Sequence, residues 1–192
     1  ILNSYCDNLN KGLDTAKLIT LQRFLMQSNG GVMPLIAAAT NGKTVHTLLS
    51  GPAAGVQATG YIIGEKQGWS NIVTMDMGGT SCDIAFIQNS KPLEVTEGMI
   101  AGRRLDFPAL DISTISAGGG TIVQLTAAKF IRVGPESAGA EPGPVCYGKG
   151  GYQPTVTDAD LVCGFLNPKH LLGGKTILDR NAAEISIEKE IA

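Results

Sequence analysis

The sequence predicts an α/β domain, with a mixed sheet, an antiparallel β-meander and flanking helices. Three observations predict it. An apolar run over 72–75 ends in Asp76, and Gly78-Gly79-Thr80-Ser81 then turns the chain. A second apolar run leaves with Asp83 near its start and continues through Phe86 and Ile87. A further turn at Asn89-Ser90 opens a third extended run over 92–96. The runs are short and rich in β-branched or aromatic residues, which marks strands. Residues 71–77, 81–88 and 91–97 are therefore expected as consecutive antiparallel strands, with a helix over 52–67 on one face.

The chemistry of the first corner follows from its residue types. Gly78-Gly79 brings backbone N–H groups close to an anion with no Cβ in the way. Asp76 repels a phosphate but can hold a hydrated Mg²⁺ that binds one. A P-loop or a dinucleotide fingerprint would open a helix after its glycines. Here no lysine follows and the next segment reads as a strand. Strand, glycine turn, strand, turn, strand resembles the ribonuclease H-like lobe of the actin, sugar-kinase and Hsp70 ATPase superfamily. The structural alternative is a plain glycine hairpin.

Composition narrows the class. Charged residues make up 17% and hydrophobic ones 43%, which excludes disorder. A formal net charge of −2, with no basic cluster beyond Arg103-Arg104, argues against nucleic acid as a partner. No run approaches the length of a membrane helix. Cys6, Cys82, Cys146 and Cys163 form no C-x-x-C pair and suit free thiols in a reducing cytoplasm. His46 and His170 stand apart, so a histidine metal site is not expected.

Along the chain, Leu2, Cys6, Leu9 and Leu13 recur at helical spacing over residues 2–20, as do Leu18, Leu21 and Leu25. Gly12-Leu13-Asp14 is a candidate break, with Asp14 capping a second helix. Residues 24–27 read equally as a strand. Ser28-Asn29-Gly30-Gly31 is a turn, 34–39 a short helix and 44–49 a strand. Ser50 or Gly51 is expected to cap the 52–67 helix, whose small residues Gly55, Thr59 and Gly60 favour close packing, and Gly68 ends it.

Residues 111–116 form another strand candidate feeding Gly118-Gly119-Gly120, followed by an apolar run from Ile122. Three glycines together signal a bulge, a sharp corner or close backbone approach to a ligand. Residues 134–148 hold three prolines and enough glycines to exclude regular structure, but their apolar content marks an ordered loop. Thr157, with Asp160 three residues on, reads as a capping-box variant starting a helix that stops before Asn167-Pro168. Asp179 caps the last helix, about 180–192.

Several motifs, in order, resemble the hydantoinase A/5-oxoprolinase family. They are Gln27-Ser28-Asn29-Gly30-Gly31, Ser50-Gly51-Pro52-Ala53-Ala54-Gly55, Asp76-Met77-Gly78-Gly79-Thr80-Ser81-Cys82-Asp83, Gly118-Gly119-Gly120, the Gly/Pro segment 133–148, and Thr155-Val156-Thr157-Asp158-Ala159. The resemblance covers nearly the whole chain and departs at Cys82, where the family pattern has threonine.

The resemblance implies ATP-dependent ring opening of cyclic amides, with phosphorylation of the carbonyl oxygen activating it for attack by water. It implies ATP and Mg²⁺ as cofactors, Asp76 as the catalytic and metal-holding carboxylate, and nucleotide contacts from Gly78, Gly79, Thr80, Ser81, Asp83, Gly118, Gly119 and Gly120. It also implies a small cyclic amide substrate, a hydantoinase B-type subunit or domain as partner, and a cytoplasmic setting. By the same resemblance residues 1–192 are a single domain, part of the hydantoinase A ATPase domain. The N-terminal lobe and a downstream adenine-binding segment would lie outside it, and the piece alone would be inactive. An ATPase subunit of a ketone carboxylase, a non-catalytic binding module of the same fold and a carbohydrate kinase are the alternatives. The 75 residues before Asp76 count against the kinase.

Overall fold

The structure is a computed structural model and describes residues 2–18, 22–40, 43–100 and 103–191. The chain packs as two compact units, one built from 1–76 and 83–113, the other from 77–82 and 114–192.

In the first unit, α1 (Leu2–Thr15) is one uninterrupted helix. Its Cys6, Leu9 and Leu13 pack with Met33, Leu35 and Ala38. Gly12 does not break it. Asp14 caps nothing and instead pairs with Arg23 at 2.8 Å. Among the described residues no second helix follows; Leu18 is outside any helix, and the Leu21 position lies outside the described residues. The alternative reading of 24–27 holds, because β1 (Phe24–Met26) and β2 (Val32–Pro34) form an antiparallel hairpin across the Ser28–Gly31 turn. The short helix α2 (Leu35–Thr40) follows Pro34 directly.

The strand expected over 44–49 is a 3₁₀ turn at Lys43–Thr47. Its carbonyls are engaged locally and by Ser28. Thr47 Oγ1 donates to the Thr44 carbonyl at 2.7 Å. The Ser28 amide and hydroxyl donate to the His46 carbonyl at 2.7 and 2.8 Å, and the hydroxyl also meets the Leu48 carbonyl.

Helix α3 (Ser50–Thr59) continues into a π-helical stretch, Gly60–Lys66, and Gly68 ends it with φ +82°. Neither Ser50 nor Gly51 caps it. Leu49 occupies that position in the left-handed region and no side-chain cap bond forms. The small-residue face packs through Gly60 and Gly64. A Cβ at Gly64 would lie 2.9 Å from Ser90 Cβ, and one at Gly60 3.3 Å from Pro92 Cδ.

Strands β3 (Asn71–Met77) and β4 (Cys82–Gln88) flank the glycine corner as expected, and β5 (Lys91–Pro92) pairs antiparallel with β4. β6 (Glu94–Val95), the hairpin β7 (Gly98–Ile100) with β8 (Arg103–Leu105), β9 (Ala109–Leu110) and β10 (Ile112–Ile115) follow. The sheet order is β10-β4-β3, with β5 on β4. The third run of the meander is therefore shorter than expected. Pro92 lacks an N–H to extend the ladder. The chain leaves the sheet there, and β6 pairs with β9 instead. Ala53, Val56, Ala85, Ile87 and Leu110 form the buried centre of this unit, with Ile72 and Ile112 packed against it. Arg104 is an exposed ion-paired residue, 2.8 Å from Glu97 and 2.7 Å from Asp106.

In the second unit, β11 (Thr121–Leu125) and β12 (Ile131–Ser137) pair antiparallel, with Val123 opposite Val133 and a bulge between Thr121 and Val123. β12 runs through Gly134-Pro135, where no regular structure was expected. Gly134 takes φ +72°, and a Cβ there would lie 3.0 Å from Thr121 Cγ2. The bulge and this one glycine let the strand pass. Beyond it the segment is irregular but packed, ending in a 3₁₀ turn at Val145–Tyr147 with Cys146 buried.

Helix α4 (Val156–Cys163) starts two residues earlier than expected. Thr155, not Thr157, is the N-cap, and Asp158, not Asp160, completes the capping box. The left-handed Gly164 ends it, leaving Phe165 outside and exposed. Asp179 Oδ1 accepts the Ala182 amide at 3.0 Å and caps α5 (Arg180–Ile191), as expected; Ala192 lies outside the described residues. Cys146, Leu161, Leu178 and Ala183 form the buried cluster of this unit. No described helix is long and apolar enough to cross a membrane.

Candidate functional site

The glycine corner 77–82 belongs to the second unit, and its backbone bonds decide which of its groups stay unengaged. The Gly78 amide donates to the Ser81 carbonyl at 2.8 Å and closes the turn. The amides of Gly79 and Thr80 have no hydrogen-bond acceptor among the described residues. Both residues are exposed and Ser81 is half-buried. Of the three N–H donors expected at this corner, Gly78 therefore shapes the turn, and the next two are left unengaged among the described residues.

The second glycine loop lies against the first, backbone to backbone. Gly119 N–H donates to the Gly78 carbonyl at 2.9 Å and Gly120 N–H to the Gly79 carbonyl at 2.6 Å. Gly118 N–H donates to Thr121 Oγ1 at 2.7 Å. A Cβ at Gly118 would stand 2.6 Å from the Thr80 nitrogen, one at Gly119 2.6 Å from Thr157 Oγ1, and one at Gly120 2.9 Å from the Gly79 carbonyl. This is the physical reason for three glycines in a row. All three amides are engaged within the protein, and the close approach is to the first loop.

Sequence reasoning missed the group behind these loops. The Thr157 amide and hydroxyl both donate to the Gly119 carbonyl at 2.8 Å. The fully buried Asp158 carboxylate accepts from the amides of Cys146 (2.8 Å), Thr155 (2.9 Å) and Val145 (3.2 Å) and from the Thr155 hydroxyl (2.8 Å). The signal was present as a second T-x-x-D spacing, Thr155 to Asp158, beside the one from Thr157 to Asp160. Burial pushes the Cys146 thiol far above the usual thiol range, helped by its hydrogen bond to Asp158 and by that carboxylate's charge. Burial also raises the Tyr147 phenol, with Cys146 and Asp158 adding to the effect. Cys82 is buried too, so neither thiol is placed for nucleophilic chemistry.

In the first unit, Asp76 is exposed and Asp83 half-buried. Both line a cleft of about 280 Å³ between α3 and β3, where Gly55, Thr59, Val73 and Met75 also contribute. Among the described residues no group of three or more His, Cys, Asp or Glu side chains stands together. A divalent cation here would thus take one or two carboxylates and complete its shell with water and phosphate oxygens, the habit of Mg²⁺.

The family model described as hydantoinase/oxoprolinase matches residues 1–192. The chain belongs to the hydantoinase/oxoprolinase family. Caprolactamase subunit alpha of Pseudomonas jessenii is 43% identical over 166 residues, covering 86% of this chain and 23% of that protein. The crystal structure of ATP-dependent caprolactamase from the same organism superposes with a TM-score of 0.76 at 39% identity, over 98% of this chain and 27% of the other. 5-Oxoprolinase 1 of Arabidopsis thaliana is 43% identical over 145 residues, covering 76% of this chain and 11% of the relative. The nucleotide-free structure of an acetone carboxylase superposes with a TM-score of 0.75 at 32% identity, over 89% of this chain and 24% of that one. This hydantoinase/oxoprolinase chain thus spans about a quarter or less of the relatives it matches.

Proposed function

We propose that this chain is one phosphate-binding part of an ATP-dependent cyclic-amide hydrolase, built on a ribonuclease H-like, actin-like ATPase fold. The observation that carries the reading is the pair of unengaged amides at Gly79 and Thr80, on a loop fixed by backbone bonds from a second loop. Preorganised N–H donors stabilise phosphate charge without reorganising during the reaction. The Thr80 and Ser81 hydroxyls add donors. Asp76 is the carboxylate that holds Mg²⁺, and Asp83, on the same cleft, orients water around it. Gly78 shapes the turn, and Gly118, Gly119 and Gly120 hold it in place.

The residues fit the cofactor pair, since the Asp76 and Asp83 carboxylates of the first unit suit a hydrated Mg²⁺ and the unengaged amides of the second suit a phosphate. ATP would supply the phosphoryl group that, placed on the amide oxygen, makes the carbonyl carbon a better electrophile for water. The substrate class is a lactam or cyclic imide. The partner is a hydantoinase B-type subunit or domain, a reading supported by the word subunit in the caprolactamase relative's name. The four cysteines are free, which supports a cytoplasmic setting.

The acetone carboxylase likeness supports a second reading, an ATPase subunit of a ketone carboxylase. One assay separates the two. The full-length protein with its partner is supplied with ATP and Mg²⁺, then either with lactams and cyclic imides or with ketones and bicarbonate. ADP release that depends on the cyclic amide is the expected result. Release that depends on ketone and bicarbonate installs the second reading. No ATP turnover with either leaves a binding module and overturns both.

A further inference from the structure

We infer that Thr157 is a positioning residue for the 78–80 loop, acting through the carbonyl of Gly119. The inference deepens the phosphate-loop reading above and rests on it. A bonded path supports it, lying wholly within the second unit. Asp158 gathers three amides and one hydroxyl at distances of 2.8–3.2 Å and so fixes the first turn of α4 to the 145–146 segment. That turn presents Thr157, at the second helical position, to Gly119. Two donors from this one residue, its amide and its hydroxyl, converge on a single carbonyl oxygen at 2.8 Å each. Gly119 and Gly120 then donate to the Gly78 and Gly79 carbonyls.

The polarity of the path matters. Each peptide unit of the second loop accepts on one side and donates on the other. Holding the Gly119 carbonyl therefore also aims the Gly120 amide that follows it. The carbonyls of Gly78 and Gly79 are held from behind. The Gly79 carbonyl and the Thr80 amide belong to one planar peptide unit, so fixing the first orients the second. Likewise the Gly78 carbonyl fixes the plane that carries the Gly79 amide. The two amides proposed to meet phosphate are thus oriented by bonds made on the far side of their own peptide planes. Thr157 touches no ligand and is not a catalytic residue.

The hydroxyl is separable from the fold. Thr157 is neither the cap nor the box carboxylate of α4; those are Thr155 and Asp158. Thr157→Val keeps the shape and the amide and removes the hydroxyl's bonds to the Gly119 carbonyl and to the Tyr147 phenol, while Thr157→Ser keeps both. In the full-length protein with its partner, Thr157→Val is expected to lower ATP kcat/KM about five- to tenfold, the scale of one lost buried hydrogen bond. KM for the cyclic amide should stay at the wild-type value. Thr157→Ser should restore the ATP parameters.

Hydrogen exchange of the unliganded protein gives a readout that needs no turnover. Thr157→Val should speed exchange at the Gly119 and Gly120 amides, and Thr157→Ser should not. Unchanged exchange there overturns the inference. Faster exchange with unchanged ATP kinetics also overturns it, leaving Thr157 a structural residue. Equal losses in ATP and amide parameters, not rescued by serine, count against it in the same way. Asp76→Asn, assayed alongside, keeps the two failures apart. Wild-type turnover in that variant sinks the phosphate-loop reading and this inference with it. A large loss there, with Thr157→Val at wild type, sinks the inference alone.

Discussion

The Gly78 carbonyl accepts the Gly119 amide at 2.9 Å, so two glycine loops forty-one positions apart are joined by main chain alone. The two bonds between the loops, Gly119 to Gly78 and Gly120 to Gly79, run from amide to carbonyl with no side chain between. The glycines of the pair consequently differ in what they tolerate.

Gly118→Ala places a Cβ 2.6 Å from the Thr80 nitrogen and 2.7 Å from the Gly79 carbonyl carbon, and both are backbone atoms that cannot swing aside. The expected cost is about 1–3 kcal/mol of stability, as for other overpacked sites. ATP turnover should fall with it, because the displaced atoms carry the proposed donors. Thermal melting and ADP release on the full-length variant check both.

Gly79→Ala should do the reverse. Nothing lies within 4 Å of a Cβ there. Stability should stay within about 0.5 kcal/mol of wild type. KM for ATP should rise, because the methyl stands where a phosphate would approach. An unchanged KM would mean that the corner faces no phosphate.

Asp76→Asn keeps the size of an exposed side chain and removes its charge. Turnover should drop on the order of 10²–10³-fold, as for other preorganised electrostatic groups. Melting should move by no more than about 0.5 kcal/mol. Raising Mg²⁺ concentration should recover part of the loss. Near wild-type ADP release would make the corner structural.

Asp158→Asn tests the buried hub. An amide replaces a carboxylate that accepts three amides, one hydroxyl and the Cys146 thiol, and its NH₂ group cannot accept a hydrogen bond from the donors it faces. Each buried group left without a partner costs about 1–3 kcal/mol, so the denaturation midpoint should fall clearly. A midpoint equal to wild type would show that the hub holds nothing.

Cys146 supplies a pH dependence. Its thiol is raised in the folded protein, so above the ordinary thiol range the unfolded chain loses a proton that the folded chain keeps. Its contribution is fully present below about pH 8.5. As pH rises beyond that value, stability should decline with a limiting slope of roughly 1.4 kcal/mol per pH unit from this group. Comparing the slope above pH 9 in wild type and Cys146→Ala isolates the effect, and equal slopes would refute it. Alkylation of the native protein should reach the exposed Cys163 before Cys146.

The sequence by itself determined what short-range chemistry sets. The strands on either side of the first glycine corner, the Ser28–Gly31 turn, the end of the 52–67 helix at Gly68 and the Asp179 cap are all found where residue types and periodicity place them. These depend on neighbours within about one turn of chain, which the sequence displays directly. The motifs also sufficed to name the family. Only the tertiary structure decided which partner each backbone group takes. Thr155-x-x-Asp158 and Thr157-x-x-Asp160 are equal as strings. The helix starts from the first pair, with Thr157 bonded to Gly119, thirty-eight positions away. The 44–49 segment has strand composition, but Ser28 takes its carbonyls. Three glycines announce close approach without naming what approaches. A hydrogen bond saturates one donor with one acceptor, and the donor is left for a ligand only after the folded chain has filled the others.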